Sequence, residues 1–133
     1  MPENSGWPMV VLRHEVPDGS AHFDLLLDTA AAEAGPLMTF RCHRRPDVPQ
    51  AAPWLAERLP PHRRVYLTYE GPVSGDRGRV SRVASGRAVV DAGGVDAQEL
   101  TLRLITPSGV VLVRGRRLDA ACWRFTSETA GDR

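Results

Sequence analysis

Lysine is absent from this chain: all seventeen basic residues are arginines. Arginine's planar fork suits phosphate and carboxylate better than an ammonium point charge does, and the joint abundance of Ala, Gly, Pro and Arg adds codon bias as a partial cause. Excess charge is also lacking. The formal net charge is +1, which excludes a strongly basic protein and leaves any nucleic-acid contact to a local basic patch. Cysteine is scarce, since only Cys42 and Cys122 occur, far apart and outside any CxxC pattern. That spacing, with an N-terminus lacking a charged-then-apolar profile, reads as two reduced thiols in a cytoplasmic protein. No apolar run approaches the roughly 20 residues of a membrane-spanning helix.

What is present suits one folded domain. A chain of 133 residues, 42% apolar and 25% charged, buries about two thirds of its unfolded surface without needing a disulfide or structural metal. Short runs rich in Val, Leu, Phe and Tyr alternate with Gly, Pro, Asp and Ser clusters, the pattern of an all-β fold. Strands are expected near Met9 to His14, Ala21 to Asp28, Leu37 to Cys42, Val65 to Glu70, Gly78 to Val83, Arg87 to Asp91, Glu99 to Thr106, Val110 to Arg114 and Cys122 to Thr126. Turn chemistry at 17–19, 74–75, 85–86 and 107–109 separates them. PWLAERL, from Pro53 to Leu59, has helix formers, a proline suited to a first helical turn and a ProPro stop, and predicts one short helix. The expected architecture is a compact antiparallel β-barrel of eight or nine short strands plus that helix, with a two-sheet sandwich as the alternative. The domain spans 9–126, with loose termini at 1–8 and 127–133, and a monomer is the simplest expectation for a closed barrel.

The stretch RHEVPDGSAHFDLLLD at 13–28 carries the first chemical signal. If its ProAspGly heads a hairpin centred near Asp18, His14 and His22 oppose one another, with Cβ atoms about 4.5–5.5 Å apart. Asp24, two residues beyond His22, shares its face. Two imidazoles and a carboxylate on one side suit a divalent transition metal such as Mn, Fe or Zn, whereas a His-x-Asp pair by itself also fits a surface hydrogen bond. Leu25, Leu26 and Leu27 read most simply as core. A second cluster, LPPHRRVYLTYEGPVSGDRGRV at 59–80, contains His62, a candidate general acid or phosphate donor, and Tyr66 four residues later on the same alternating face.

Taken together, the two clusters resemble the 3'-phosphoesterase module of bacterial DNA ligase D and its stand-alone relatives. The matching elements are His14, His22-Phe23-Asp24, LMTF at 37–40, His62, Tyr66, Tyr69-Glu70-Gly71, the glycine loop Gly75-Asp76-Arg77-Gly78 and CysTrpArgPhe at 122–125. The similarity spans about 9–126 in the expected order. It implies a β-barrel that binds manganese and heals DNA 3' ends, removing a terminal ribonucleoside and then a 3'-phosphate. On this resemblance His14, His22 and Asp24 are metal ligands, and His62 and Tyr66 contact the scissile phosphate. Arg58 and Arg77 are the arginines it offers as phosphate binders, with Arg44 and Arg45 behind them. The chain departs from the pattern in three places. Leu26 stands where the family carries an arginine, the hairpin loop is two residues longer, and HisArgArgPro at 43–46 replaces a Pro-Lys-Gly stretch.

The implied function is a manganese-dependent phosphoesterase acting on DNA, or RNA-containing DNA, 3' ends in repair, with room for a separate ligase or polymerase as partner. The alternative is a noncatalytic module that keeps the barrel and binds DNA ends or a repair partner. Leu26 favours the module; convergence of His14, His22, Asp24, His62 and Tyr66 favours catalysis.

Overall fold

Period-two alternation of apolar and polar residues governs the whole fold of the computed structural model, which describes residues 6–29, 35–94 and 96–130. Nine strands form among the described residues: β1 (Trp7–Glu15), β2 (Ala21–Leu27), β3 (Leu37–Cys42), β4 (Trp54–His62), β5 (Gly71–Pro72), β6 (Arg79–Gly93), β7 (Glu99–Thr106), β8 (Gly109–Arg117) and β9 (Cys122–Thr129). Their order is β1-β2-β3-β4-β9-β8-β7-β6-β5, and a further β1–β6 pairing joins the ends. The result is a closed eight-stranded antiparallel barrel with β5 outside it, paired only to the start of β6. No helix among the described residues is long and apolar enough to cross a membrane.

Inward-facing positions fill the barrel. Trp123, Phe40, Phe125, Met9, Val11, Leu27, Leu102 and Leu104 are almost wholly buried, and Phe40 meets Trp123 and Phe125 edge-to-face at 5.6 and 5.5 Å between ring centroids. The interior is therefore packed solid with side chains. A second apolar cluster lies on the outer face, where Val10, Leu12, Leu26, Leu37 and Val80 are covered by Tyr66, Leu67, Tyr69 and Val73. Alternation thus splits the three leucines of β2, with Leu25 and Leu27 in the barrel core and Leu26 beneath the covering segment 63–78.

Three local expectations are corrected. The predicted helix at Pro53 to Leu59 is strand β4: Trp54 and Ala56 point inward while Leu55 and Glu57 point out, and the strand bonds to both β3 and β9. A segment this short gains little from helix propagation, whereas strand pairing here closes the barrel. The predicted strand from Val65 to Glu70 is a 3-10 turn over Arg64–Leu67, tied by Tyr66 N–H to Arg63 O and Thr68 N–H to Val65 O, both at 3.1 Å. The strands expected at 78–83 and 87–91 form the single fifteen-residue β6, because the supposed turn glycine Gly86 marks a close backbone approach. A Cβ there would lie 1.9 Å from Ile105 O. At the ends, β1 already begins at Trp7 and β9 continues to Thr129, so ordered strand extends into both segments expected to be loose; 1–5 and 131–133 lie outside the described residues.

Candidate metal centre

The hairpin turn fixes the geometry of the first cluster. Asp18 Oδ1 accepts hydrogen bonds from the backbone N–H and hydroxyl of Ser20 at 2.9 and 2.7 Å, and these bonds hold its carboxyl below the ordinary carboxylate range. Gly19 follows at φ +93, and Val16 N–H closes the loop on Ser20 O at 2.9 Å. The register that results sets His14 directly across from His22 and Leu12 across from Asp24. All the polar members project from the outer face of the barrel, the opposite side to the packed interior.

His14, His22 and Asp24 each offer a ligand atom, all within 4.8 Å of one another. The two rings meet edge-on with centroids 4.8 Å apart. Asp24 is 2% exposed, and its Oδ1 lies 3.3 Å from His22 Nε2 while its Oδ2 lies 3.8 Å from His14 Nδ1. His22 Nε2 and Asp24 Oδ1 are buried without a hydrogen-bond partner among the described residues.

Backbone carbonyls orient the other imidazoles. His14 Nε2 lies 2.7 Å from Arg77 O; a carbonyl only accepts, so Nε2 donates there and Nδ1 is the ring nitrogen facing Asp24. His62 repeats the arrangement, with Nδ1 3.3 Å from Pro60 O and Nε2 3.9 Å from Asp24 Oδ2. An imidazole whose outer N–H is held by a carbonyl is the usual metal-ligand configuration. Donor set, orphaned atoms and carbonyl-held rings all fit a divalent cation of the borderline, nitrogen- and oxygen-liganded kind.

His62 reaches this place through an irregularity. Between β3 and β4 the register slips between Leu37 and Thr39, opposite Pro60 and Pro61, and His62 ends the strand across from Leu37 on the outer face. Tyr66, from the 3-10 turn, stands beside it with ring centroids 5.9 Å apart. The covering segment is pinned by Arg64, which donates to the buried Asp28 at 2.8 Å and to Gly35 O at 3.1 Å, and by Arg82, which donates to Leu67 O at 3.4 Å.

Between cover and barrel lies a cleft of about 520 Å³, lined by His14, Asp24, His62, Tyr66, Arg41 and Arg77 among others. The structure therefore brings His14, His22, Asp24, His62 and Tyr66 together. Arg77 reaches the cleft, but its carbonyl touches His14, while its guanidinium folds back on Ser74 O and Oγ at 2.7 and 3.1 Å. Arg58 is not brought there: it lies across from inward-facing Phe40 and donates to Asp96 at 3.2 Å. Arg44 is exposed and outside the cleft, and Arg45 is paired with Asp47.

Arg41 and Arg63 line the cleft and were not singled out from the sequence. Arg41 stands directly across from Asp24, so its signal lay in the β2–β3 register. Arg63 lies 5.8 Å over the Tyr66 ring.

No protein-family model and no curated protein matches this chain.

Proposed function

We propose that the protein is a metal-dependent phosphoesterase acting on nucleic-acid 3' ends, releasing a terminal 3'-phosphate or 3'-ribonucleotide. The observation that carries this reading is the pair of buried, unpartnered atoms, His22 Nε2 and Asp24 Oδ1, facing each other at 3.3 Å at the edge of an arginine-lined cleft. Leaving such groups unsatisfied costs roughly 1–3 kcal/mol each, and a cation satisfies both. His14, His22 and Asp24 would hold it; manganese is the ion that the resemblance to the ligase D module implies. When bound, the ion supplies Lewis-acid polarisation of a phosphoryl oxygen and lowers the pKa of water.

The remaining work falls to the chain's own groups. Hydrolysis joins a water oxygen to phosphorus and breaks the bond from phosphorus to the 3' oxygen, which must leave with a proton. His62 suits that delivery, because as an imidazolium it keeps Nδ1–H on Pro60 O and presents Nε2–H to the cleft. Tyr66, lining the same wall, orients a phosphate oxygen through its hydroxyl. Contacts of this kind are made to the sugar-phosphate backbone, so little sequence preference and a marked salt dependence are expected.

The test incubates purified protein with Mn²⁺ and a primer-template ending in a 3'-phosphate or a single ribonucleotide. Conversion to a 3'-hydroxyl end, abolished by His22→Ala, supports the enzyme. The second reading, a noncatalytic end-binding module, draws on Leu26: it is fully buried among Val10, Leu12 and Leu37, where the resembling family carries an arginine. Tight binding with unchanged ends across several divalent metals would support it.

A further inference from the structure

We infer that Arg41 forms an anion subsite in this cleft and grips a nonbridging oxygen of the substrate's phosphate. The inference deepens the phosphoesterase reading and rests on it for the identity of the anion. On its strand, Arg41 is flanked by two acids, with Asp24 directly opposite on β2 and Glu57 directly opposite on β4. It forms an ion pair with neither among the described residues; Asp24 turns its carboxylate toward His14, His22 and His62 instead. Arg41 Nε is buried and has no hydrogen-bond partner among the described residues, while the side chain lines the cleft.

A guanidinium always carries its charge and offers five donors in a rigid fork. Held beside a carboxylate already committed to imidazoles, it lacks an acceptor that a ligand in the cleft can supply. A tetrahedral oxyanion in the cleft against Arg41 satisfies that need, and phosphate matches the fork in a bidentate manner. Neighbouring arginines do not duplicate the role. Arg77 is occupied with Ser74, Arg64 with Asp28, and Arg63 lies over Tyr66.

The test titrates inorganic phosphate into metal-free wild type, Arg41→Met and Arg41→Lys, and separately measures Mn²⁺ affinity by electron paramagnetic resonance. Methionine keeps the stem and removes the fork and charge; lysine keeps the charge alone. Phosphate binding is expected to weaken by about tenfold or more in Arg41→Met, the scale of a charge-assisted hydrogen bond, and by less in Arg41→Lys. Mn²⁺ affinity should be unchanged or tighter in Arg41→Met, since a positive neighbour of Asp24 has gone. Equal phosphate binding by wild type and Arg41→Met, or no binding by wild type, overturns the inference. A parallel fall in Mn²⁺ affinity also overturns it by marking Arg41 as structural. If wild type binds phosphate through Arg41 but takes up no Mn²⁺, the subsite stands and the metal-dependent reading fails.

Discussion

At the scale of single residues, the site is built from imidazoles that differ in what they are tied to. His14 and His22 come from paired positions of one hairpin, while His62 arrives from β4 with its ring held by Pro60 O. That separation predicts a clean division of labour. His62→Ala should leave Mn²⁺ affinity within a few fold of wild type, yet lower kcat by about 10²–10⁴, the usual contribution of a positioned acid or base. Single-turnover kinetics beside metal titration checks it, and loss of metal binding in His62→Ala would instead make His62 a ligand. The hairpin triad was legible in the sequence because PDGS specifies a local turn, and a local turn fixes register without help from the rest of the fold. Arg41 was not legible in that way. Its place across from Asp24 depends on pairing β2 with β3 through a long connection. The charge of Arg58 was visible, but its side of the sheet was not, and it faces Asp96 rather than the cleft. Of the two cysteines, Cys42 is wholly enclosed, and burial pushes its pKa well up, leaving it protonated, whereas Cys122 is only half-buried.

Elements were legible where pattern and tertiary pairing agree, and misread where local propensity points elsewhere. WLAERL looks helical by composition, but its alternate residues Trp54 and Ala56 complete the core between β3 and β9, and burial outweighs a propensity of tenths of a kcal/mol per residue. The opposite error occurred at Val65 to Glu70, where apolar and aromatic residues suggested a strand; there the chain lies over the outside of the barrel, and Leu67 and Tyr69 bury against Leu12, Leu26 and Val80. SerGly at 85–86 looked like a turn, whereas Gly86 lets β6 pass from β1 to β7 without a break. Gly86→Ala should therefore destabilise the protein by roughly 1–3 kcal/mol, the range for overpacking a tight contact, because its Cβ would collide with Ile105 O. Urea denaturation measures the change; a variant as stable as wild type would mean that β6 and β7 can separate at this point at little cost.

On the scale of the whole molecule, alternation identified an all-β fold, while closure depended on two pairings that no local pattern specifies, β1 with β6 and β4 with β9. Closure has a functional consequence. With the interior filled by Trp123, Phe40 and Phe125, ligand chemistry is left to the outer face, under a cover joined to the barrel by the Arg64–Asp28 pair and by the contact of His14 with Arg77 O. A cation held by His14, His22 and Asp24 would bind the folded chain but not the unfolded one, because β1 and β2 assemble its ligands only on folding. Linkage then raises stability by about 2.7 kcal/mol when free Mn²⁺ is one hundred times its Kd. Thermal denaturation across a Mn²⁺ series should show a rising midpoint in wild type and none in Asp24→Asn, which keeps the side-chain shape but loses the charge. Hydrogen exchange adds a spatial test: the Tyr66 and Tyr69 amides, bonded to Arg63 O and Val65 O, should gain protection with Mn²⁺, since fixing His14 also fixes the cover through Arg77. A midpoint that still rises in Asp24→Asn would locate the ion elsewhere on the protein, and stabilisation without added protection in the cover would confine its effect to the barrel hairpin.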